Sequence, residues 1–413
     1  MRILCTTFGS SGDVFPMLGL GAELQRRGNE VIFATNDHFE GMVREQGLLF
    51  ESLGTEEQFQ AIVHDPGLWH PRRSFEILFR NLKTVLHRQY ELFAKHAEAG
   101  PIVGIANCLS HGAFVARDKL KVPVITLHVQ PAVLWSDIEP PKLPGMFGPR
   151  WLRRGLFRIA ERYFADPVVC PWLNAWRSEL GLPPIKQITR WWNSPSGVLC
   201  MFPEWYCSLQ ADCPKPISQT DFPLWNHRSN QRMSDDVATF LSNGSAPIVF
   251  TPGSANMHGR EFFEAAVQAC GLLNRRAVLL TDFPEQVPSN LPKSVAHFRY
   301  VPLDLLLPHA SAFVHHGGIG SSSQAMLAGI PQVLMPLAHD QFDNAERIQK
   351  LGIGDTIPVR CFTGPQVAKI LKRLLESAEV SESCRNIASR MIARDGLRLS
   401  ADAFERLCAS ALR

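Results

Sequence analysis

Residues 312–331 read in order as a strand, a glycine-rich turn and a helix, and this arrangement restricts the fold more than any other stretch. The apolar run 312–314 predicts a buried parallel strand that ends at His315 and His316. Three glycines after it allow a tight turn and a close approach of a ligand to the backbone: Gly317, Gly318 and Gly320. The helix N-terminus that follows presents free amides and a favourable dipole to an anion. The stretch therefore predicts a diphosphate site at the edge of an α/β sheet.

The size and composition of the chain limit its class. With 413 residues it is long enough for two domains, and its net charge of +3 requires no nucleic-acid partner. No apolar run reaches the roughly 20 residues of a membrane span, and the first residues lack a signal-peptide pattern. The ten cysteines are scattered without C-x-x-C spacing. We expect a cytoplasmic protein, and the oligomeric state is left open.

The N-terminal segment repeats the strand, turn and helix order. A strand over 2–8 is followed by a Gly-Ser turn, a helix from about Pro16 to Arg27, and a strand over 31–34. The turn lacks the G-x-G-x-x-G fingerprint, which argues against a nicotinamide enzyme. Asp13 lies at the carboxyl edge of the first strand, where open α/β sheets bind ligands. Two roles suit it from spacing alone: a helix N-cap or a catalytic carboxylate.

Polar residues follow two further predicted strands, at 102–106 and 122–127. Asn107, His111 and His128 would then lie along the same sheet edge as Asp13. For each histidine a structural role is the alternative. Trp135, which opens a proline- and glycine-rich segment, favours an apolar or ring-bearing ligand, with burial in the core as the alternative.

The segment 150–160 predicts a helix that is basic on one side and apolar on the other. A peripheral contact with the inner face of a membrane is one interpretation. A solvated helix face is the other.

The second half of the chain opens like the first. After a polar junction at 221–236, a strand over 247–251 leads into a turn with Gly253 and Ser254 and a helix over 260–273. Two similar α/β domains follow from this repetition. We expect a first domain over 1–225, a second domain over 237–395, and a final helix over 396–413.

These motifs resemble the UDP-glycosyltransferase superfamily, especially its bacterial antibiotic and macrolide, sterol and rhamnosyl transferases. The resemblance rests on the segment 9–16 and on the long motif that runs from His316 to Gln341, and it extends over nearly the whole chain. It implies a GT-B fold, in which two Rossmann-like domains with parallel sheets face one another across a cleft. In such a fold the first domain binds the acceptor, the second binds the nucleotide-sugar donor, and the final helix packs back on the first domain. It also implies an inverting transfer of a hexose from a UDP- or dTDP-sugar to a hydroxyl of a small-molecule or lipid acceptor.

The resemblance places the general base at Asp13, where many relatives have a histidine. Asn107 stands near the aspartate that orients such a histidine, so the usual dyad is absent. Asn107, His111 and His128 at the same edge would contact the acceptor, together with Trp135 from the proline- and glycine-rich segment. Attack on the side opposite the leaving group predicts inversion.

The resemblance also assigns the donor site, without a cofactor other than the nucleotide-sugar co-substrate. The residues that would bind the diphosphate are Gly253, Ser254, His316, Gly318, Gly320 and Ser321. No D-x-D pair is present, so we expect no metal. A rival interpretation takes His315, His316, His339, Asp340 and Asp343 as a metal cluster, but it leaves the glycines unexplained.

The nucleoside would contact Tyr300, Val301 and Gln324, and the donor sugar would bind Asp340 and Gln341. Tyr300, Leu303 and Gln324 replace the tryptophan, glutamine and glutamate that are common in relatives. The choice between uridine and thymidine therefore stays open. Two alternatives to transfer remain as well: a catalytically silent sugar-nucleotide-binding protein, and a non-hydrolysing nucleotide-sugar epimerase on the same fold.

Overall fold

A computed structural model describes residues 1–65, 67, 74–146, 148–225, 233–253, 256 and 259–412. The chain forms two compact units. Unit 1 comprises Met1–Trp225 and Asp395–Arg413, and unit 2 comprises Asn226–Arg394.

Unit 1 is built on a seven-stranded parallel sheet with the order β3-β2-β1-β4-β5-β6-β7. Its strands are β1 Arg2–Thr6, β2 Glu30–Asn36, β3 Leu49–Gly54, β4 Val103–Asn107, β5 Val124–His128, β6 Val198–Cys200 and β7 Ile217–Gln219. Its helices are α1 Ser11–Arg26, α2 Glu40–Glu45, α3 Glu56–Val63, α4 Ser74–Glu98, α5 His111–Leu120, α6 Arg150–Ala160, α7 Asp166–Glu179 and α8 Ile188–Trp191. A π-helical segment, Glu161–Ala165, joins α6 to α7.

Unit 2 contains a six-stranded parallel sheet with the order β10-β9-β8-β11-β12-β13. Its strands are β8 Ile248–Thr251, β9 Ala277–Leu280, β10 Val295–Phe298, β11 Ala312–His315, β12 Gln332–Leu334 and β13 Gly354–Thr356. Its helices are α9 Asp235–Ser242, α10 Arg260–Leu273, α11 Leu303–Leu306, α12 Ile319–Ala328, α13 Gln341–Lys350, α14 Gly364–Glu376 and α15 Ala378–Ile392.

The central strands of unit 2, β8, β9 and β11, are mostly apolar because both faces of the sheet are covered. Along β8, Ile248 and Phe250 pack into one core cluster while Val249 packs into the cluster on the other face. The side chains of β11 alternate in the same way, with Val314 on one face and Phe313 on the other. This alternation is what a parallel sheet between two helix layers requires. The predicted architecture of two Rossmann-like α/β domains is confirmed.

Helix α1 begins five residues earlier than predicted, at Ser11. Ser10 is its N-cap, and the Ser10 side chain accepts a hydrogen bond from the Gly12 amide at 3.3 Å. Asp13 is the third helical residue, and its Oδ2 accepts from the Ser10 amide at 3.1 Å. The N-cap interpretation of Asp13 was therefore wrong in position, since Asp13 supplies the second half of a capping box.

The last helix, α16 (Gly396–Ala411), belongs to unit 1, where it packs on α1. Arg27 donates hydrogen bonds to Asp402 at 2.7 Å and to Glu405 at 3.1 Å. The hydroxyls of Thr220 and Ser400 are 2.8 Å apart and buried. In the described part of the chain, no helix is both long and apolar enough to span a bilayer.

Candidate functional site

Each sheet has one place where the strand order reverses, and the residues predicted to be functional lie there. In unit 1 the reversal falls between β1 and β4, and in unit 2 it falls between β8 and β11. The connections leaving two such neighbouring strands run in opposite directions and leave a crevice at the carboxyl ends. The turn that carries Asp13 follows β1, and Asn107 ends β4. Gly253 follows β8, and His315 ends β11.

Unit 1 contains a pocket of about 280 Å³ at this edge, including the space that is open to solvent. The residues that line it are Asp13, Asn107, Cys108, Leu127, His128, Val129, Gln130 and Val133. Three of the predicted site residues are thus brought together. Cys108, Gln130 and Val133 were missed. Cys108 directly follows Asn107, and Gln130 and Val133 lie shortly after His128, so the predicted strand ends could have indicated them.

Asp13 is half-buried in this pocket, and its carboxylate is oriented by the first turn of its own helix. The bond from the Ser10 amide fixes Oδ2, and the Ser10 hydroxyl lies 3.5 Å from the same atom. A Cβ on Gly9 would overlap this carboxylate. Gly9 adopts φ +141°, which favours glycine, so the turn both requires this residue and makes room for the carboxylate.

Asn107 is held by the end of β1. Its Nδ2 donates to the Thr7 hydroxyl at 3.0 Å and to the Phe8 carbonyl at 3.4 Å, and its Oδ1 accepts from Ser110 at 2.8 Å. The Thr7 hydroxyl in turn donates to the backbone carbonyl of Asp13 at 3.4 Å. Asn107 therefore connects the end of β4 to the turn that positions Asp13.

His128 is a neutral imidazole with a defined tautomer. The Asn193 amide donates to the Thr189 carbonyl at 3.1 Å, which leaves Asn193 Oδ1 to accept from His128 Nε2 at 2.8 Å. Burial lowers the pKa of His128 to about 4. At neutral pH this side chain can contribute shape and hydrogen bonding to the pocket but no positive charge.

Two residues predicted to contact the acceptor do not line the pocket. His111 is fully buried and stacks on Phe79, with ring centroids 5.2 Å apart, and burial lowers its pKa to about 3. Trp135 is 7% exposed and packs against Phe157 and Trp192. Both side chains are covered by other rings, which favours the alternative of a core residue, and their contact with an acceptor stays a prediction.

In unit 2, His315 is a structural residue beneath the glycine turn. Its Nδ1 accepts from the Gly317 amide at 3.1 Å, and its Nε2 donates to Gln332 Oε1 at 3.0 Å. Burial lowers the pKa of His315 to about 3. Both ring nitrogens are thus engaged, so His315 cannot be a metal ligand in the rival interpretation. No cluster of three potential metal ligands occurs among the residues that the structure describes.

His316 lies between two glycines that leave room for its ring. A Cβ on Gly318 would come within 2.6 Å of His316 Nε2, and a Cβ on Gly253 within 3.0 Å of its Cε1. The Nδ1 atom is buried and has no hydrogen-bond partner among the described residues. Burial lowers the pKa of His316 to about 4, and the neighbouring His339 lowers it further.

The predicted diphosphate site falls on the N-terminus of α12. Gly318 is the N-cap, and Gly320 and Ser321 are the second and third helical residues, whose amides precede the first intrahelical hydrogen bonds. Gly253 has φ +105°, and its amide donates to the Thr251 hydroxyl at 3.3 Å. Ser254 lies outside the described residues.

Asp340 and Gln341 are connected to the same turn through Asn344, which the sequence did not single out. The Asn344 amide donates to the Gly317 carbonyl at 3.0 Å and to Asp340 Oδ2 at 2.6 Å. Gln341 is buried, and its Oε1 accepts from the Leu337 and Ala338 amides at 2.7 and 3.1 Å. Burial raises the pKa of Asp340 to about 6, and the bond from Asn344 opposes this shift.

The three residues predicted to contact the nucleoside differ in exposure. Tyr300 is 55% exposed and Gln324 is half-buried on α12. Val301 is 4% exposed and packs in the core, so only its backbone is left to contact a ligand. Leu303 begins α11.

Comparison with protein families assigns a known domain to each half of the chain. The glycosyltransferase family 28 N-terminal domain matches residues 3–132. The C-terminal domain described as erythromycin biosynthesis protein CIII-like matches residues 276–397.

Similar proteins cover nearly the whole chain. Glycosyltransferase GtfC of Amycolatopsis orientalis is 29% identical over 380 residues, which is 89% of each chain. O-mycaminosyltylonolide 6-deoxyallosyltransferase of Streptomyces fradiae is 24% identical and covers 96% of this chain and 95% of its own. Sterol 3-beta-glucosyltransferase UGT80B1 of Arabidopsis thaliana is 23% identical and covers 98% and 68%.

Solved glycosyltransferases share the fold. The kitacinnamycin glycosyltransferase superposes with a TM-score of 0.76 at 21% identity, covering 98% of this chain and 99% of its own. Glycosyltransferase VinC, solved in complex with dTDP, superposes with a TM-score of 0.70 at 20% identity over the full length of both chains.

Proposed function

Because this chain belongs to the UDP-glycosyltransferase superfamily and folds as a GT-B enzyme, we propose that it is an inverting hexosyltransferase with a UDP- or dTDP-sugar donor. Its relatives include antibiotic and sterol glycosyltransferases. The acceptor is a lipophilic small molecule or lipid that offers a hydroxyl to the pocket of unit 1. The observation that carries this proposal is the pocket at the strand reversal, where Asp13, Asn107 and His128 meet.

Asp13 is the general base of the proposed reaction. Its carboxylate takes the proton from the acceptor hydroxyl as the oxygen bonds to the anomeric carbon of the donor sugar. The bond from that carbon to the diphosphate breaks on the opposite side, so the configuration inverts. A positioned base of this kind is worth about 10²–10⁴-fold in rate. The bond from the Ser10 amide supports the role, since it fixes the carboxylate before the substrate binds.

The leaving diphosphate is bound by unit 2. The amides of Gly318, Gly320 and Ser321 at the start of α12, together with the side chain of His316, donate to its oxygens. Preorganised donors and a helix dipole stabilise the charge that develops on the leaving group without reorganising during the reaction. In this proposal the chain's own donors balance that charge, and no metal is required.

The rest of the donor is recognised beside this site. Asp340 and Gln341 bind the sugar hydroxyls, and Asn344 keeps Asp340 next to the glycine turn. Tyr300 covers the base, while Val301 contributes its backbone and Gln324 contacts the ribose. Both UDP- and dTDP-sugars fit these residue types. A thermal-shift series with UDP-, dTDP- and GDP-sugars identifies the donor, because a ligand that binds only the native state raises its stability with concentration.

Asp13→Asn is the sharpest test of the base. The amide oxygen of an asparagine can still accept from the Ser10 amide, so the capping box and the helix start are retained. We expect the transfer rate to fall by about 10²–10⁴-fold, with the affinity for UDP or dTDP unchanged by calorimetry.

Ser10→Ala is the matched control for this test. It removes the hydroxyl of the cap and costs about 1 kcal/mol of stability, but leaves the carboxylate in place, so the rate of transfer should stay near wild type. Full activity of Asp13→Asn would exclude Asp13 as the base. Donor turnover without any acceptor would favour the epimerase, and nucleotide binding without turnover would favour the silent binding protein.

A further inference from the structure

The exposed face of α6 and of the π-helical segment after it carries large apolar side chains at helical spacing. Trp151 is 74% exposed, Ile159 52%, Tyr163 69% and Phe164 64%. Ile138, in the segment before α6, is 48% exposed. Five of the twelve large apolar side chains that stand out as exposed in the described chain thus fall within residues 138–164. A concentration of this kind marks an interaction surface rather than ordinary exposure.

The same face is basic. Arg150, Arg154, Arg158 and Arg162 recur every four residues and are all exposed, so they alternate with the apolar side chains along the helix. Two carboxylates balance part of this charge. Asp137 lies 2.9 Å from Arg158 and 3.7 Å from Arg154, and Glu139 lies 3.6 Å from Arg150. Two further carboxylates, Glu161 and Asp166, interact electrostatically with Arg158 and Arg162. The face therefore presents exposed guanidinium groups with carboxylates beside them.

Only part of the apolar surface of α6 packs on unit 1. Phe157 is buried against Trp135, and Leu152 and Leu156 are partly buried. Ile159 and Tyr163 continue the spacing of Leu152 and Leu156 along the helix but are exposed. Trp151 is exposed as well, so the apolar surface of the helix extends beyond what the core of unit 1 covers.

From this arrangement we infer that the face formed by Trp151, Arg154, Ile159, Arg162, Tyr163 and Phe164 binds the surface of an anionic phospholipid bilayer. Tryptophan and tyrosine are enriched at the headgroup level of membranes. The arginines would meet lipid phosphates, to which their planar side chains bind in bidentate fashion. The mixture of cations and aromatics on one face fits a shallow interfacial contact, and a protein partner would have to pair the arginines with carboxylates of its own.

Vesicle co-sedimentation of the full chain, without donor or acceptor, tests this inference. The probes are vesicles of phosphatidylcholine alone and of equal parts phosphatidylcholine and phosphatidylglycerol. We expect binding to the anionic vesicles only, and its loss at about 1 M salt, where the screening length falls to about 3 Å. Absence of binding to anionic vesicles at physiological ionic strength would overturn the inference.

Three variants separate the apolar and the charged contributions. The triple variant Trp151→Ser, Tyr163→Ser and Phe164→Ser should weaken the partition by about tenfold. Arg154→Gln and Arg162→Gln should each weaken it by about fivefold. All five side chains are exposed, so circular dichroism and the thermal midpoint should match wild type.

A triple variant elsewhere on the chain is the matched control: Leu272→Ser, Ile392→Ser and Leu412→Ser, whose side chains are 60%, 73% and 59% exposed. It should bind vesicles like wild type. If the α6 triple variant also binds like wild type, the inference fails. It also fails if the wild-type protein does not bind vesicles but forms a concentration-dependent dimer that the α6 triple variant abolishes. The face would then be a protein interface. Thermal shifts by nucleotide sugars, measured on each variant, report on the proposed function separately.

Discussion

At the scale of single residues, Asp13 and Asp340 are placed in opposite ways. Asp13 is anchored by a backbone amide in the first turn of a helix, where the dipole favours a negative charge. Asp340 is held at the glycine turn by the side-chain amide of Asn344 and by a backbone hydrogen bond from Ile319, but burial still raises its pKa to about 6. The chain therefore keeps Asp340 ionised at neutral pH at a cost in stability, which is typical of residues retained for binding.

Asp340→Asn is expected to stabilise the protein at neutral pH. The pKa of Asp340 rises from its ordinary value of 3.8 to about 6 in the folded protein. The bound proton therefore contributes fully to stability below pH 3.8, and this contribution is lost as the pH rises through about 6. An asparagine carries no charge and can still accept from Asn344. The thermal midpoint should rise by a few degrees near pH 7.5, and the gain should vanish towards pH 4.

Asp343→Asn is the control for this experiment. Asp343 is buried and lies 2.7 Å from Arg347, so its replacement should lower the midpoint rather than raise it. Calorimetric scans of the three proteins across this pH range give the comparison. A gain for Asp340→Asn that is independent of pH would contradict the electrostatic explanation.

The sequence predicted the position of single residues along the sheet edge better than their exposure. Asp13, Asn107 and His128 were correctly expected at one edge because the strand ends define it. His111 was expected at the same edge, and Trp135 in the segment that follows it. In the structure the ring of Phe79 covers His111 and the ring of Phe157 covers Trp135, and each pair is distant in sequence. Burial by remote rings leaves no local pattern, so the alternatives for an aromatic residue could not be separated.

At the scale of elements, the glycine turn before α12 depends on missing side chains. A Cβ on Gly318 would displace the ring of His316, since it would come within 2.6 Å of Nε2. For Gly320, two residues further on, no described residue outside its own helix backbone has an atom within 4 Å of an added Cβ. Both residues keep their backbone amide when changed to alanine. Comparing the two variants therefore separates the steric effect on His316 from any loss of backbone hydrogen-bond donors.

We expect Gly318→Ala to weaken the binding of UDP or dTDP by about tenfold or more, because one misplaced charged or polar contact is worth about 1.5–3 kcal/mol. Gly320→Ala should bind like wild type. Isothermal titration with the nucleoside diphosphate alone measures both. Equal affinities for the two variants would show that the ring of His316 does not contact the ligand.

Helices with a wide apolar stripe were predicted well, and a helix with a narrow apolar stripe was missed. The predicted helices over 260–273 and 150–160 coincide with α10 and α6. Helix α15 was missed because it buries only Cys384, Ile387 and Met391 among many polar residues. Its packing on α12 depends on tertiary structure, which the sequence pattern does not show. The start of α1 was misjudged because Pro16, a typical first-turn residue, lies inside the helix, which the Ser10 cap begins earlier.

At the scale of the whole molecule, unit 1 is assembled from both ends of the chain. Leu407 of α16 is 5% exposed and lies over Gly197, whose Cβ would come within 3.1 Å of it. Leu407→Ala should cost unit 1 about 2–4 kcal/mol. Leu412→Ala, at an exposed position of the same segment, should change stability by no more than about 0.5 kcal/mol.

Hydrogen exchange with mass spectrometry locates the effect of Leu407→Ala. We expect faster exchange in β6, β7 and α1, which pack on α16, and unchanged exchange in the sheet of unit 2. Equal acceleration in both units would show that α16 is not specific to unit 1.

The position of α16 also determines the order in which the protein can fold during synthesis. The ribosome releases residues 1–225 first, but the helix that covers β5, β6 and β7 of their sheet is encoded after all of unit 2. Unit 2 is continuous in sequence and can complete its core as it emerges. Unit 1 must wait, with part of its apolar surface uncovered, until Gly396–Ala411 leaves the exit tunnel. A nascent chain that pauses within unit 2 is therefore the state in which this protein most needs a chaperone.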